Sequence, residues 1–165
     1  MTHAGPVLVA LGSNLGDRAA NLREGLRLMR GAHITPVRVS SAWESAPVPE
    51  GQPWYLNAVA SVETDLSPPE LLAILKQIEH VLGRRPGKRW GPRPIDLDIL
   101  FHGDRQESAP GLVLPHPRIA ERPFVLAPLS EVWPGPLPVF GRSALDLLAG
   151  APPLAMVRSG VSLNI

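Results

Sequence analysis

RWGPRPIDLDIL, residues 89–100, ends in three apolar residues, Ile95, Leu97 and Ile99, interleaved with Asp96 and Asp98. Strict alternation is the pattern of a strand with one buried face, because successive side chains leave a strand on opposite sides. Ile95, Leu97 and Ile99 then face a core, while Asp96 and Asp98 share the other face, with backbone positions about 6.5 to 7 Å apart. Two like charges that close repel, and burying either one uncompensated costs several kcal/mol. The strand therefore calls for positive charge beside it, from basic side chains or from metal ions.

Working outward, the strand is preceded by a loop that carries Arg84, Arg85, Lys88, Arg89 and Arg93, with Trp90 among them. Neutralisation by salt bridges is one reading of that juxtaposition, although two acids do not need five cations. The other is a phosphate site. Paired carboxylates suit Mg²⁺, a hard ion that takes one or two Asp oxygens plus substrate phosphates, and guanidinium groups grip phosphate oxygens bidentately. No GxxxxGK[ST] occurs, and Gly12-Ser13-Asn14-Leu15-Gly16 lacks the lysine, so it reads as a strand-to-helix turn.

Upstream of the basic loop, Ser67-Pro68-Pro69-Glu70 is a helix start, with Ser67 as N-cap, proline at the first helical position and Glu70 placed to close a capping box. Leu71, Leu75, Ile78 and Leu82 form its apolar face, and Gly83 ends it. Nearer the N-terminus, the apolar run 6–11 reads as a strand. A helix capped by Asn14 or Asp17 follows, with Leu22, Leu26 and Met29 on one face. A single strand is expected over 35–43, a Pro/Gly loop over 46–53 and a strand over Tyr55–Glu63. Strand, helix, strand, strand, helix, strand predicts an α+β fold: a ferredoxin-like βαββαβ core, a mostly antiparallel sheet with both helices on one face. Beyond it, only short elements are expected, around Val113, 124–129 and 143–148.

The 165 residues, 44% hydrophobic, suffice for one core, so residues 1–165 are expected to form a single domain. A formal net charge of +1 leaves attraction for anions to local clusters. The absence of cysteine excludes disulfides, thiolate catalysis and Cys-based zinc sites. No stretch approaches the roughly 18 apolar residues of a membrane span, and a cytoplasmic location is expected.

Other candidates are less decisive. Tyr55 and Phe124 with Asn57 would suit a flat heteroaromatic ring, and equally a packed core. His116, between prolines in LPHPR, has Arg118 and Arg122 nearby, which suits an anion-binding rim.

Taken together, LGSNLGD (11–17), QP-x-YLNAV (52–59), IE-x-x-LGR (78–84), RWGPR-x-x-DLDIL (89–100), PHPR (115–118) and ER-x-FVL-x-PL (121–129) make the chain similar to the 6-hydroxymethyl-7,8-dihydropterin pyrophosphokinase family of folate biosynthesis. The resemblance runs from residue 11 to about 134. It implies transfer of the terminal diphosphate of ATP to the pterin hydroxymethyl oxygen, leaving AMP. Asp96 and Asp98 would hold two Mg²⁺ ions, and Arg84 and Arg93 would act with them. Tyr55 and Phe124 would flank the pterin ring, Asn57 and the backbone at Ser45, Ala46 and Val48 would bond its edge, and Trp90 would close over it. Glu79, Arg84, Trp90, Arg93, His116, Arg122 and the Ile99 backbone would hold ATP. The resemblance further implies loops at 45–53 and 84–92 that move to seal the site.

The chain departs from the family pattern at Pro86, where a second loop arginine is common, and at Pro49, Ser45 and Ala120. The partners expected are ATP and the pterin alone, with no nucleic acid and no membrane, and the chain is expected to be a monomer. A nucleic-acid-binding module is disfavoured by the low net charge and by the lack of a sheet-face aromatic pattern. A nuclease using the same acid pair would need a third acidic ligand. An inactive homologue is disfavoured because both acids and the leading arginines are intact.

Overall fold

The computed structural model describes residues 5–48, 50–83 and 93–163. Arg84 and Trp90, like Pro49, Arg85, Pro86, Lys88 and Arg89, lie outside the described residues.

In chain order, β1 (Val7–Ser13), α1 (Arg18–Arg30), β2 (Thr35–Val39), β3 (Trp43–Ser45), β4 (Tyr55–Glu63), α2 (Pro68–Val81) and β5 (Asp96–His102) lead the fold. After them come β6 (Glu107–Ala109), β7 (Leu112–Leu114), a 3-10 turn at Ile119–Glu121, α3 (Pro123–Val132), α4 (Ala144–Ala149) and β8 (Met156–Arg158). The main sheet runs β5-β1-β4-β3-β8, with β2 also paired to β4, and every pairing in it is antiparallel. With β2 and β3 taken as one interrupted strand, this is the expected βαββαβ order.

The helices start where their caps are. Asp17, rather than Asn14, caps α1 by accepting from Ala20 N at 3.0 Å. Ser67 and Glu70 close the capping box of α2.

Residues 35–43 make two strands instead of the single one expected. At the break, the Ser40 hydroxyl accepts the Val59 amide at 2.9 Å and donates to Ser41 O. A side chain thus takes the place of a ladder partner, which is how serine interrupts regular pairing. Pro36, without an N–H, sits beside a register shift on the outer strand β2.

Val9, Leu11, Ala58, Ala60, Leu97 and Ile99 pack with Leu22, Leu26, Met29, Leu71 and Leu75 of α1 and α2 on one face of the sheet. The opposite face is covered as well, where Leu8, Val59, Leu100 and Phe101 pack with Val125, Leu126 and Leu129 of α3 and Leu147 of α4. The short elements expected there are in fact a third layer. Pro128 lies inside α3, and an internal proline, with no N–H to donate, is a poor advertisement for a helix.

The register shift between Leu8 and Val9 leaves Leu100 as an extra residue in β5. Such a bulge changes which side chains share a face. Leu97 and Ile99 point to the α1/α2 core, while Leu100 and Phe101 both serve the α3/α4 core.

Candidate active site

Asp96 and Asp98 face the α3 side, as the alternation requires. Across the sheet, Asp96 pairs with Gly12, Gly12 with Asn57 and Asn57 with Trp43, while Asp98 pairs with Ala10 and Ala10 with Val59. The two smallest side chains in this array, Ala10 and Gly12, stand between the carboxylates and the Tyr55–Asn57 end. A Cβ on Gly12 would lie 3.4 Å from Tyr55 Cδ1 and 3.6 Å from Asn57 Oδ1, so both side chains lie over the bare backbone there. The result is a cavity of about 430 Å³ with Ala10 and Gly12 in its floor.

At one end lie Tyr55, Asn57, Ser45, Ala46, Val48, Gln52 and Phe124. The amide of Asn57 has a fixed orientation, because its Nδ2 donates to Trp43 O at 3.0 Å and to Ser45 Oγ at 2.8 Å. Both amide protons are thereby used, and Oδ1 is directed to the floor as an acceptor.

At the other end lie Asp96, Asp98, Lys76, Arg93, His116, Arg118 and Arg122. Arg93 Nη1 is 3.5 Å from Asp96 Oδ1. Asp98 is only partly open to the cavity, and its carboxyl is pushed up to about 6, first by loss of solvation and then by the charge of Asp96, against the pull of Lys76 and Arg122. His116 is held down to about 4 by burial and by the Arg122 guanidinium, so its ring is neutral at pH 7. Its Nδ1 lies 3.2 Å from the Arg118 amide and its Nε2 3.4 Å from Arg122 Nη1, so both ring nitrogens face donors. The His116 amide bonds Leu100 O at 3.0 Å and fastens this segment to β5.

Two further side chains tie the walls together. Asn14 Oδ1 accepts from Arg93 N at 2.7 Å, and its Nδ2 donates to Gln52 Oε1 and Pro53 O, both at 3.2 Å, so one buried amide joins two segments that line the cavity. Glu79, 2% exposed, accepts the Leu97 amide at 2.7 Å on the open edge of β5, and Lys76 reaches both Glu79 (3.3 Å) and Leu97 O (3.5 Å).

The structure thus brings to one cavity eleven of the residues expected in the site: Ser45, Ala46, Val48, Tyr55, Asn57, Arg93, Asp96, Asp98, His116, Arg122 and Phe124. Glu79 and the Ile99 side chain do not line it; Ile99 is in the core, and only its backbone was expected to take part. Lys76, Gln52, Ala10 and Gly12 were missed. For Lys76 the signal was its place three residues before Glu79 on the helix, and for Gly12 its place opposite an acid. Among the described residues no group of three or more His, Asp or Glu side chains gathers to hold a metal. The aspartate pair alone fits a hard cation that completes its shell with water and phosphate oxygens.

A family model described as 7,8-dihydro-6-hydroxymethylpterin-pyrophosphokinase (HPPK) matches residues 8–134. The chain belongs to this family. It is 47% identical over 126 residues to the 2-amino-4-hydroxy-6-hydroxymethyldihydropteridine pyrophosphokinase of Bacillus subtilis, covering 75% of each chain. It is 51% identical over 127 residues to a mitochondrial folate synthesis bifunctional protein of Arabidopsis thaliana, where the match covers 76% of this chain and 23% of the relative. The chain therefore spans about a quarter of that bifunctional relative's length. A crystal structure of Plasmodium falciparum HPPK-DHPS with pterin and p-hydroxybenzoate shares the fold, with a TM-score of 0.69 at 14% identity, covering 91% of this chain and 42% of that one. No helix among the described residues is long and apolar enough to cross a membrane.

Proposed function

We propose that this chain transfers the terminal diphosphate of ATP to 6-hydroxymethyl-7,8-dihydropterin. The observation that carries the reading is the single cavity in which an aromatic and amide end (Tyr55, Phe124, Asn57) meets a carboxylate and cation end (Asp96, Asp98, Arg93, Arg122) across the Ala10–Gly12 floor. A flat ring with a hydroxymethyl arm laid on that floor points its oxygen toward the aspartates.

Tyr55 and Phe124 stack on the ring, and Asn57 Oδ1 accepts from its N–H edge, with the backbone at Ser45, Ala46 and Val48 completing the contacts. The hydroxymethyl oxygen attacks the β-phosphorus in line; the bond from that phosphorus to the bridging oxygen breaks, AMP leaves, and the hydroxyl proton passes to solvent. Asp96 and Asp98 would hold two Mg²⁺ ions. When bound, the ions supply neutralisation of the charge that builds on the transferring phosphates. Arg93, Arg122 and Lys76 are preorganised donors for phosphate oxygens, with His116 beside Arg122 at the same end. Glu79 serves ATP by setting Leu97, between the two acids, and the Ile99 backbone bonds the nucleotide. Arg84 and Trp90 complete the reading as a loop cation and a closing ring. Closure excludes water and strengthens each charge contact.

In this reading residues 1–165 are one pyrophosphokinase domain, monomeric and cytoplasmic, with no nucleic acid or membrane as partner. Incubation with ATP, Mg²⁺ and the pterin, followed by nucleotide chromatography, tests it. AMP in step with pterin consumption is expected; ADP, or no turnover, overturns it.

A further inference from the structure

Behind the substrate-facing wall lies a polar cluster that touches neither end of the cavity. The Glu131 carboxylate, on α3, accepts three hydrogen bonds from the segment around the β2–β3 break: Ser41 N at 3.0 Å and Ser41 Oγ at 2.8 Å on one oxygen, and Trp43 Nε1 at 2.7 Å on the other. Arg158 of β8, opposite Trp43 in the register, stacks 5.2 Å over the Trp43 ring. Burial alone would raise the Glu131 carboxyl; the bonds from Ser41 and Trp43, with the Arg158 charge, more than offset it and hold it low. The acid is thus an acceptor-only anchor at neutral pH.

What it anchors is the frame of Asn57. Trp43 supplies the carbonyl, and Ser45 the hydroxyl, that take both Asn57 amide protons. β3 is only three residues long, pairs with β4 on one side and with the equally short β8 on the other, and is preceded by the Ser40 break. Ser41 and Trp43 follow that break directly, and one carboxylate ties both to α3.

Resting on the proposed function, we propose that Glu131 is a positioning residue for the pterin, which acts through Ser41 and Trp43 to set the amide plane of Asn57. Replacement by glutamine keeps the size but turns one acceptor into a donor, so that an N–H₂ faces the Ser41 or the Trp43 donor whichever way the amide is turned. The β3 segment must shift, and the Asn57 Oδ1 moves with it.

The experiment is steady-state kinetics of Glu131→Gln, Trp43→Phe and the double variant, with calorimetric titration of the pterin into each. Expected is a rise of about tenfold in the KM and Kd for pterin in either single variant, with kcat and the KM for ATP within about twofold. The double variant should be little worse than either one, because both disturb the same three-bond cluster. Unchanged pterin affinity in Trp43→Phe, or losses that multiply in the double variant, overturns the proposal. So does a parallel loss for both substrates, which would mark a merely structural role. If Glu131→Gln does not fold, Trp43→Phe and its titration still decide. Absence of turnover in the unaltered chain would count instead against the proposed function.

Discussion

In the proposed reaction Asp98 carries more of the chemistry than any other single residue, and its environment shows the cost. A carboxyl pushed up to about 6 by burial and by Asp96 binds a proton more tightly in the folded chain than in the unfolded one. The contribution of this group to stability without ligands is therefore largest below the ordinary Asp range and declines as pH rises from about 4 through about 6, by roughly 3 kcal/mol. Urea unfolding between pH 4 and 7.5 should show that decline, and Asp98→Asn should flatten it and be the more stable chain at pH 7. The same substitution should lower turnover by about a thousandfold or more while the fold is retained, since charge stabilisation at the reacting phosphates is lost. The aspartates were legible in the sequence because alternation is a local property. Lys76 was not, because its approach to Leu97 O depends on how α2 lies along the edge of β5, and nothing within one helix encodes that.

The site also depends on one empty place in one strand. Gly12→Val would put branched atoms where Tyr55 and Asn57 now lie, since even the first added carbon comes within 3.4 Å of the Tyr55 ring. A pterin KM raised tenfold or more, with the KM for ATP changed far less, is expected from initial rates. α2 offers a control away from the cavity. Ser67→Ala removes the acceptor of the capping box and should cost about 1 kcal/mol, a fall of roughly 2 to 4 °C in Tm by calorimetry, with activity unchanged. Helices with strong caps and clean periodicity, α1 and α2, were readable from the chain. α3 was not, because an internal Pro128 and burial against β4 and α4 leave it without a polar face or a clear cap. The split of residues 35–43 was hidden for a related reason: the Ser40 hydroxyl bonds to Val59, nineteen residues away.

Across the whole molecule, the family match stops at residue 134, yet the chain beyond it completes the sheet beside the Asn57 end of the cavity. β8 pairs with β3, Ala155 O accepts from Ala46 N at 2.9 Å, and Ala42 O accepts from Ser159 N at 2.8 Å. Truncation after Gly150 should thus weaken pterin binding more than ATP binding and lower the unfolding midpoint. Calorimetric titration of each substrate into the shortened chain checks this. The βαββαβ order was legible because it is written in periodicities. The second helical layer and the edge strand β8 were not, since short elements gain their stability from the partners they meet and not from their own pattern. In the proposed reaction Asp96 and Asp98 hold divalent cations against a triphosphate tail. Electron paramagnetic resonance of Mn²⁺ titrated into the protein with a non-hydrolysable ATP analogue tests it most directly. Two tightly bound, mutually coupled ions in the unaltered chain, falling to one or none in Asp98→Asn, is the predicted result; the same binding in both would contradict it.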